Sequence, residues 1–138
     1  MQLKGKNKLF LKNMVESASP MQLIVVLYDG AIQWLQMGKK EIQENTDRKP
    51  PNWSAFSQHM DMTLKILTHL QETLDHTHNE NLAQRLFDLY DFLKNLVIEI
   101  NAYKREKDID DAIGLLRSLK KSWQDAMLQQ AKQSKASE

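Results

Sequence analysis

Between Pro20 and Gln130 the chain carries almost nothing that stops a helix. Three of its four glycines (Gly30, Gly38, Gly114) sit inside helically spaced apolar patterns, and only Pro50 and Pro51 break the run. No segment alternates apolar and polar residues as a half-buried strand does. A chain patterned this way buries its apolar stripes by packing helix on helix. Ser19 and Pro20 supply an N-cap and a first helical position, which predicts a first helix from about Pro20 to Asn45. A second is expected from Trp53 to Leu74, with Trp53, Phe56, Met60, Leu64 and Leu67 on one face. A third is expected from Glu80 to Tyr103, through Leu82, Leu86, Leu89, Leu93, Leu96 and Ile100. A fourth is expected from an N-cap at Asp108 to Gln130, through Ile109, Ala112, Ile113, Leu116, Leu119, Trp123 and Met127.

Short connections between long helices imply antiparallel neighbours. The fold class is therefore all-α: an antiparallel four-helix bundle with an additional short N-terminal helical or extended segment. Residues 1–18 form a mobile or docking segment, residues 19–131 the bundle, and residues 132–138 a disordered tail. Within the first of these, Leu9, Phe10 and Met14 have the spacing of a short amphipathic helix.

Charge and chemistry narrow the function. Lys plus Arg number 19 against 18 for Asp plus Glu, so a net charge of +1 gives no electrostatic case for nucleic acid or an anionic membrane. No stretch approaches the ~20 apolar residues of a membrane-spanning helix. The absence of cysteine removes thiol chemistry and fits a reducing compartment. A di-iron carboxylate bundle needs Glu-x-x-His pairs, and the chain has none. His76 and His78 share a turn with Asp75, and His69 lies upstream. A metal-dependent enzyme built there is the alternative to a plain polar turn. Serines fall at caps and ends, and no glycine loop cradles phosphate. Neither a cofactor nor catalysis is expected.

The first helix has more apolar surface than a bundle helix needs. At about 100° per residue, its polar side chains crowd into roughly 60° of arc, while Leu23, Ile24, Val25, Val26, Leu27, Tyr28, Ala31, Ile32, Trp34, Leu35 and Met37 fill most of the rest. Four explanations stand open. The helix is central and wrapped by its neighbours, or it presents a self-association face. Otherwise it lines a groove for a partner helix, or the N-terminal segment covers it. Gly30, inside this helix, is expected to permit close helix approach.

The stretch ASPMQLIVVLYDGAI, Ala18 to Ile32, resembles the opening helix of the flagellin-specific export chaperones, the FliS family. The matching positions are Ala18, Ser19, Pro20, Leu23, Ile24, Leu27, Tyr28, Asp29, Gly30 and Ala31. AQRLFDLYDFL (Ala83 to Leu93) is similar to a later family segment, Asn101 falls where an Ala-Asn pair ends the family's third helix, and the last helix has the family's spacing up to Trp123. Departures occur at Asn79-Glu80-Asn81, where the family often has Gly-Gly-Glu, and at Asn95-Leu96, where it often has an arginine pair. The Pro50-Pro51 loop is longer than usual.

The resemblance implies a chaperone of the bacterial cytosol that binds the disordered C-terminal region of flagellin one-to-one. It would prevent premature polymerisation and assist type III export, with export-gate components as further partners. The free form would be a monomer or weak dimer. The alternative is a structural or homo-oligomeric adaptor with a different helical client. The partner-binding candidates are Leu23, Leu27, Tyr28, Asp29, Ala31, Ile32, Leu35, Asn101, Leu116, Leu119 and Trp123, with Leu9, Phe10 and Met14 as a cover for the groove. For Tyr28 and Asp29 the competing role is structural, in the core and in a bond to a neighbouring helix or loop. Ile32, Leu35, Leu116, Leu119 and Trp123 either line a groove or fill the core.

Overall fold

The computed structural model describes residues 20–45 and 49–136, with side chains described to residue 133. They form an all-α bundle of helices α1 (Pro20–Gln43), α2 (Trp53–Glu72), α3 (Glu80–Tyr103) and α4 (Glu106–Ala136), with no sheet. α1 packs on α2 and α4, and α3 lies against α2 while touching α4 only lightly. The helices therefore run around the bundle in chain order, with α1 and α3 on a diagonal.

Caps and turns set the boundaries. The Asn52 side chain accepts from the Ala55 amide and opens α2, directly after the prolines that cannot continue α1. The Asn52 amide in turn donates to Glu41 Oε1 at 2.7 Å, pinning the connection back on α1. Asn79 caps α3 in the same way, through the Leu82 amide. α3 stops at Lys104, which adopts the left-handed conformation (φ 56°, ψ 38°) and returns its amide to the Ile100 carbonyl.

That reversal is so tight that α4 begins at Glu106. Asp108 is thus not the expected N-cap but a first-turn residue, its carboxylate accepting from Arg105 Nε at 2.9 Å, close to the positive end of the helix. At its other end α4 continues past Gln130 to Ala136. Nothing in QQAKQSKA breaks a helix, and Ala, Gln and Lys favour one. Between Trp123 and residue 133, only Met127 of α4 is even partly covered.

Tyr28 and Leu35 of α1 meet Phe56, Met60 and Leu67 of α2, Tyr90, Leu93, Val97 and Ile100 of α3, and Ile109, Ala112 and Leu116 of α4 in one core. The glycine that permits close approach is Gly38 rather than Gly30. A Cβ at Gly38 would stand 2.6 Å from Met60 Cε and 3.3 Å from Phe56 Cε2, whereas one at Gly30 would meet Ile66 Cδ1 at an ordinary 3.4 Å.

Two seams carry different polar ties. Along α1–α4, Lys39 pairs with Asp110 at 2.6 Å and Asp29 with Lys120 at 2.7 Å, while Gln43 Nε2 donates to Glu106 Oε1 at 2.6 Å. Along α2–α3 the buried Gln71 donates to the Phe87 carbonyl and to Asp91 Oδ1, and accepts from Lys94. Farther along, Ser57 Oγ donates to Asn101 Oδ1 at 2.9 Å.

Candidate partner-docking site

The bundle is open at the end where α1 begins, α2 ends and α3 begins. A trough of about 300 Å³ forms there. Ile24 comes from α1, Leu70 from α2 and Leu74 from the turn after it, Leu82, Ala83, Leu86 and Tyr90 come from α3, and Trp123 closes the α4 side. The walls are predominantly apolar, and Leu82 is half exposed at 50%. Asp75, His78 and Asn79 form a polar rim.

At the base of the trough lies a chain of aromatic hydrogen bonds. Trp123 Nε1–H donates to the Tyr28 hydroxyl at 2.7 Å, and the Tyr28 and Tyr90 hydroxyls are 2.5 Å apart. Their rings are tilted at 46° with centroids 6.4 Å apart. Helices α1, α3 and α4 are tied together here. Burial pushes the Tyr28 hydroxyl far above its ordinary pKa, with the neighbouring Tyr90 adding to the rise, and burial raises Tyr90 as well. Both phenols are therefore neutral at any physiological pH.

The rim is a self-contained turn. Asp75 accepts from the Thr77 hydroxyl and amide and from His78 Nδ1, and these bonds, led by the Thr77 hydroxyl, draw its pKa down to about 2. His78 is thus spoken for by Asp75, and among the described residues no group of three His, Cys, Asp or Glu side chains could hold a metal.

A second cleft, of about 800 Å³, lies between α1 and α2. The Trp34 ring stacks on His59 there, at 5.4 Å and 29°, with Met37, Ala55 and Met62 nearby and Lys40, Glu41, Glu44, Asp61 and Lys65 around the edge. Burial lowers the His59 pKa, against a smaller opposing pull from Glu41. The surplus apolar arc of α1 is thereby shared out: Tyr28, Ala31, Ile32 and Leu35 go to the core, Ile24 to the trough, and Trp34 and Met37 to the cleft. α1 is not wrapped on all sides, since Leu23, Val25, Val26 and Leu27 remain half-buried.

The expected partner-binding residues divide accordingly. Tyr28, Ala31, Ile32, Leu35 and Leu116 are core, each 7% exposed or less, so they shape the site from behind instead of facing it. The inward position of the four on α1 follows from that helix lying between α2 and α4. Leu27 and Leu119 are half-buried against that core, and Leu23 is half-buried as well. Asp29 pairs with Lys120. Asn101 is far from the trough, accepting from Ser57 and, through its carbonyl, from Lys104 Nζ at 2.6 Å. Of the expected set, only Trp123 lines the trough. Leu9, Phe10 and Met14 lie outside the described residues. By spacing alone Ile24 falls on the apolar arc of α1, and Leu82 and Leu86 fall on the stripe of α3. Their meeting at one end of the bundle depends on which helices lie opposite one another, which no spacing encodes.

Fold and site together define a helical-bundle protein built for binding, with an open apolar trough at one end. The chain belongs to the FliS family: the family model described as "Flagellar protein FliS" matches residues 3–131. It is 26% identical over 121 residues to the flagellar secretion chaperone FliS of Vibrio cholerae serotype O1, covering 88% of this chain and 85% of that one. It is 25% identical over 122 residues to that of Salmonella typhimurium, covering 88% and 86%. With that of Escherichia coli K12 it shares 23% identity over 119 residues, covering 86% and 83%. No described helix is long and apolar enough to cross a membrane.

Proposed function

We propose that this protein is a bacterial cytosolic chaperone for flagellin. It binds the disordered C-terminal region of the subunit one-to-one, keeps it from polymerising prematurely and passes it to the flagellar type III export apparatus, whose gate components are further partners. The observation that carries the reading is the open trough: apolar walls, a half-exposed Leu82 and the Trp123 side chain on the α4 side suit an amphipathic helix laid in by its apolar face. The relatives, each called a flagellar secretion chaperone, point the same way.

Ile24, Leu82, Leu86 and Trp123 contact the client directly, and half-buried Leu23, Leu27 and Leu119 extend the surface. Tyr28 and Leu116 hold the site in shape. In the free protein Leu9, Phe10 and Met14 cover the apolar surface and give way to the client. A patch of this kind left bare is a self-association hazard.

Calorimetric titration with the C-terminal segment of the same organism's flagellin tests the reading. A one-to-one isotherm is expected, with a large negative heat-capacity change from coupled folding and burial of about 1,000–3,000 Å². No heat from two well-behaved components would sink it. Deleting residues 1–16 should tighten binding and promote oligomers, and a clean monomer of unchanged affinity would remove the cover from the account. A second reading, a self-associating adaptor, is favoured by Phe92 and Ile98, which are 58% and 54% exposed on α3. Sedimentation of the client-free chain separates the two.

A further inference from the structure

The last turns of α4 reach past the bundle. Lys39 faces Asp110 and Asp29 faces Lys120, so α1 and α4 run antiparallel in step, residue for residue. Nine residues before Asp29, α1 begins at Pro20, opposite about residue 129 of α4. α4 continues to Ala136, an overhang of about seven residues, or ~10 Å at 1.5 Å per residue. It stands beside the open end of the trough, whose lining includes both Pro20 and Trp123. Met127 lies one turn beyond Trp123 and so continues the same face of the helix. It is the one residue between Trp123 and residue 133 that is even partly covered. From Ala126 to Ala136 the sequence carries Lys132 and Lys135 and no acidic residue. Asp125, just before, pairs with Lys121 at 2.9 Å.

The trough is small for its task. At about 300 Å³ it matches the lower bound of small-molecule pockets, whereas a disordered segment that folds on docking buries about 1,000–3,000 Å². Such a segment must run on beyond it. The bonded aromatics close the base, so the continuation leaves through the open end, where the overhang stands.

We infer that residues 126–136 of α4 form a second wall of the docking site: the segment bound in the trough continues along them, with an apolar residue against Met127 and carboxylates beside Lys132. This rests on the trough being the client site. The chain's own N-terminal segment joins α1 at the same end, but residues 1–19 carry Lys4, Lys6, Lys8 and Lys12 against Glu16 alone. Like charge keeps it off the end of α4. The occupant is thus an amphipathic client segment with acidic residues flanking its apolar stripe.

The experiment follows backbone hydrogen exchange of the full chain, alone and with the C-terminal segment of the same organism's flagellin. Amides of residues 126–136 should exchange fast in the free chain, as in other uncovered helix ends, and at least about tenfold more slowly in the complex. Affinity of the Met127→Gln, Lys132→Glu double variant should fall about tenfold, through a lost apolar contact and a reversed charge. Its urea midpoint should not move, because neither side chain belongs to the core. If wild type binds while these amides do not slow, or the double variant loses less than about twofold, the inference fails and the trough reading stands. Equally slow exchange in the free chain would mean that the N-terminal segment or a second copy covers the end of α4, and overturns the inference as well. Should the double variant fold poorly, the wild-type exchange decides alone. A wild type that binds nothing refutes the trough reading, and the inference with it.

Discussion

Two glycines in helix interiors give a matched experiment on how α1 and α2 pack. Replacing glycine by alanine inside a helix gains up to ~1 kcal/mol of propensity wherever the methyl group meets nothing. Gly114 is such a place, since no atom lies within 4 Å of its would-be Cβ. Gly114→Ala should stabilise the protein by roughly 0.5–1 kcal/mol. At Gly38 the same methyl lands 2.6 Å from Met60 Cε and 3.3 Å from Phe56 Cε2, and both side chains are fully buried. The Met60 terminus can swing aside, but the Phe56 ring sits in a packed core, and overpacking of this kind costs about 1–3 kcal/mol. The propensity gain is common to both variants, so the difference between them isolates the steric cost. Gly38→Ala should be the less stable by about 1–3 kcal/mol. Urea unfolding followed by far-ultraviolet circular dichroism measures this, provided the slopes stay equal. Two variants within about 0.5 kcal/mol of each other would mean that α1 and α2 are farther apart than described.

Two further outcomes follow from the polar contacts. Trp123→Phe keeps an aromatic wall but removes the donor to Tyr28, so stability should fall by about 0.5–1.5 kcal/mol. A midpoint unchanged in urea would show that the indole N–H contributes nothing. His59, whose pKa burial lowers, stays neutral in the folded chain at pH values where the unfolded chain already protonates it. Its contribution is therefore intact above the ordinary histidine value near 6.5 and is lost as pH falls from there toward the lower folded value. Midpoints measured on either side of that window should separate more in wild type than in His59→Gln, and parallel behaviour would refute the assignment.

Much of the bundle is legible in the order of residues. Phe56, Met60 and Leu67 on α2, and Leu93 and Ile100 on α3, recur at helical spacing and do fill the core. Spacing assigns a face to each helix but not the element opposite it. Leu82 and Leu93 follow the same stripe, yet the first opens on the trough and the second is sealed. Gly30 and Gly38 look alike in sequence, and what separates them is which α2 side chain stands across the seam. Asp108 reads as an N-cap, and only the left-handed turn at Lys104 moves the helix start ahead of it. Tyr28 was a candidate both for function and for the core. The structure gives it a buried place in a hydrogen-bonded chain that ends at the trough wall, a position that depends on residues on three helices far apart in the chain.

The two polar seams respond to the medium to different degrees. The α1–α4 seam is held by the exposed ion pairs Lys39–Asp110 and Asp29–Lys120, whose attraction fades once the Debye length shrinks to a few ångströms, about 3 Å at molar salt. The α2–α3 seam turns on Gln71, an amide that is 8% exposed and bonds the neutral Phe87 carbonyl as well as the charged Asp91 and Lys94. Concentrated brine thus weakens the α1–α4 ion pairs more than the α2–α3 bonds, which all run to a neutral amide. Asp29 adjoins Tyr28 and Lys120 lies one turn before Trp123, so one of the pairs that salt weakens sits beside the bonded aromatics behind the trough.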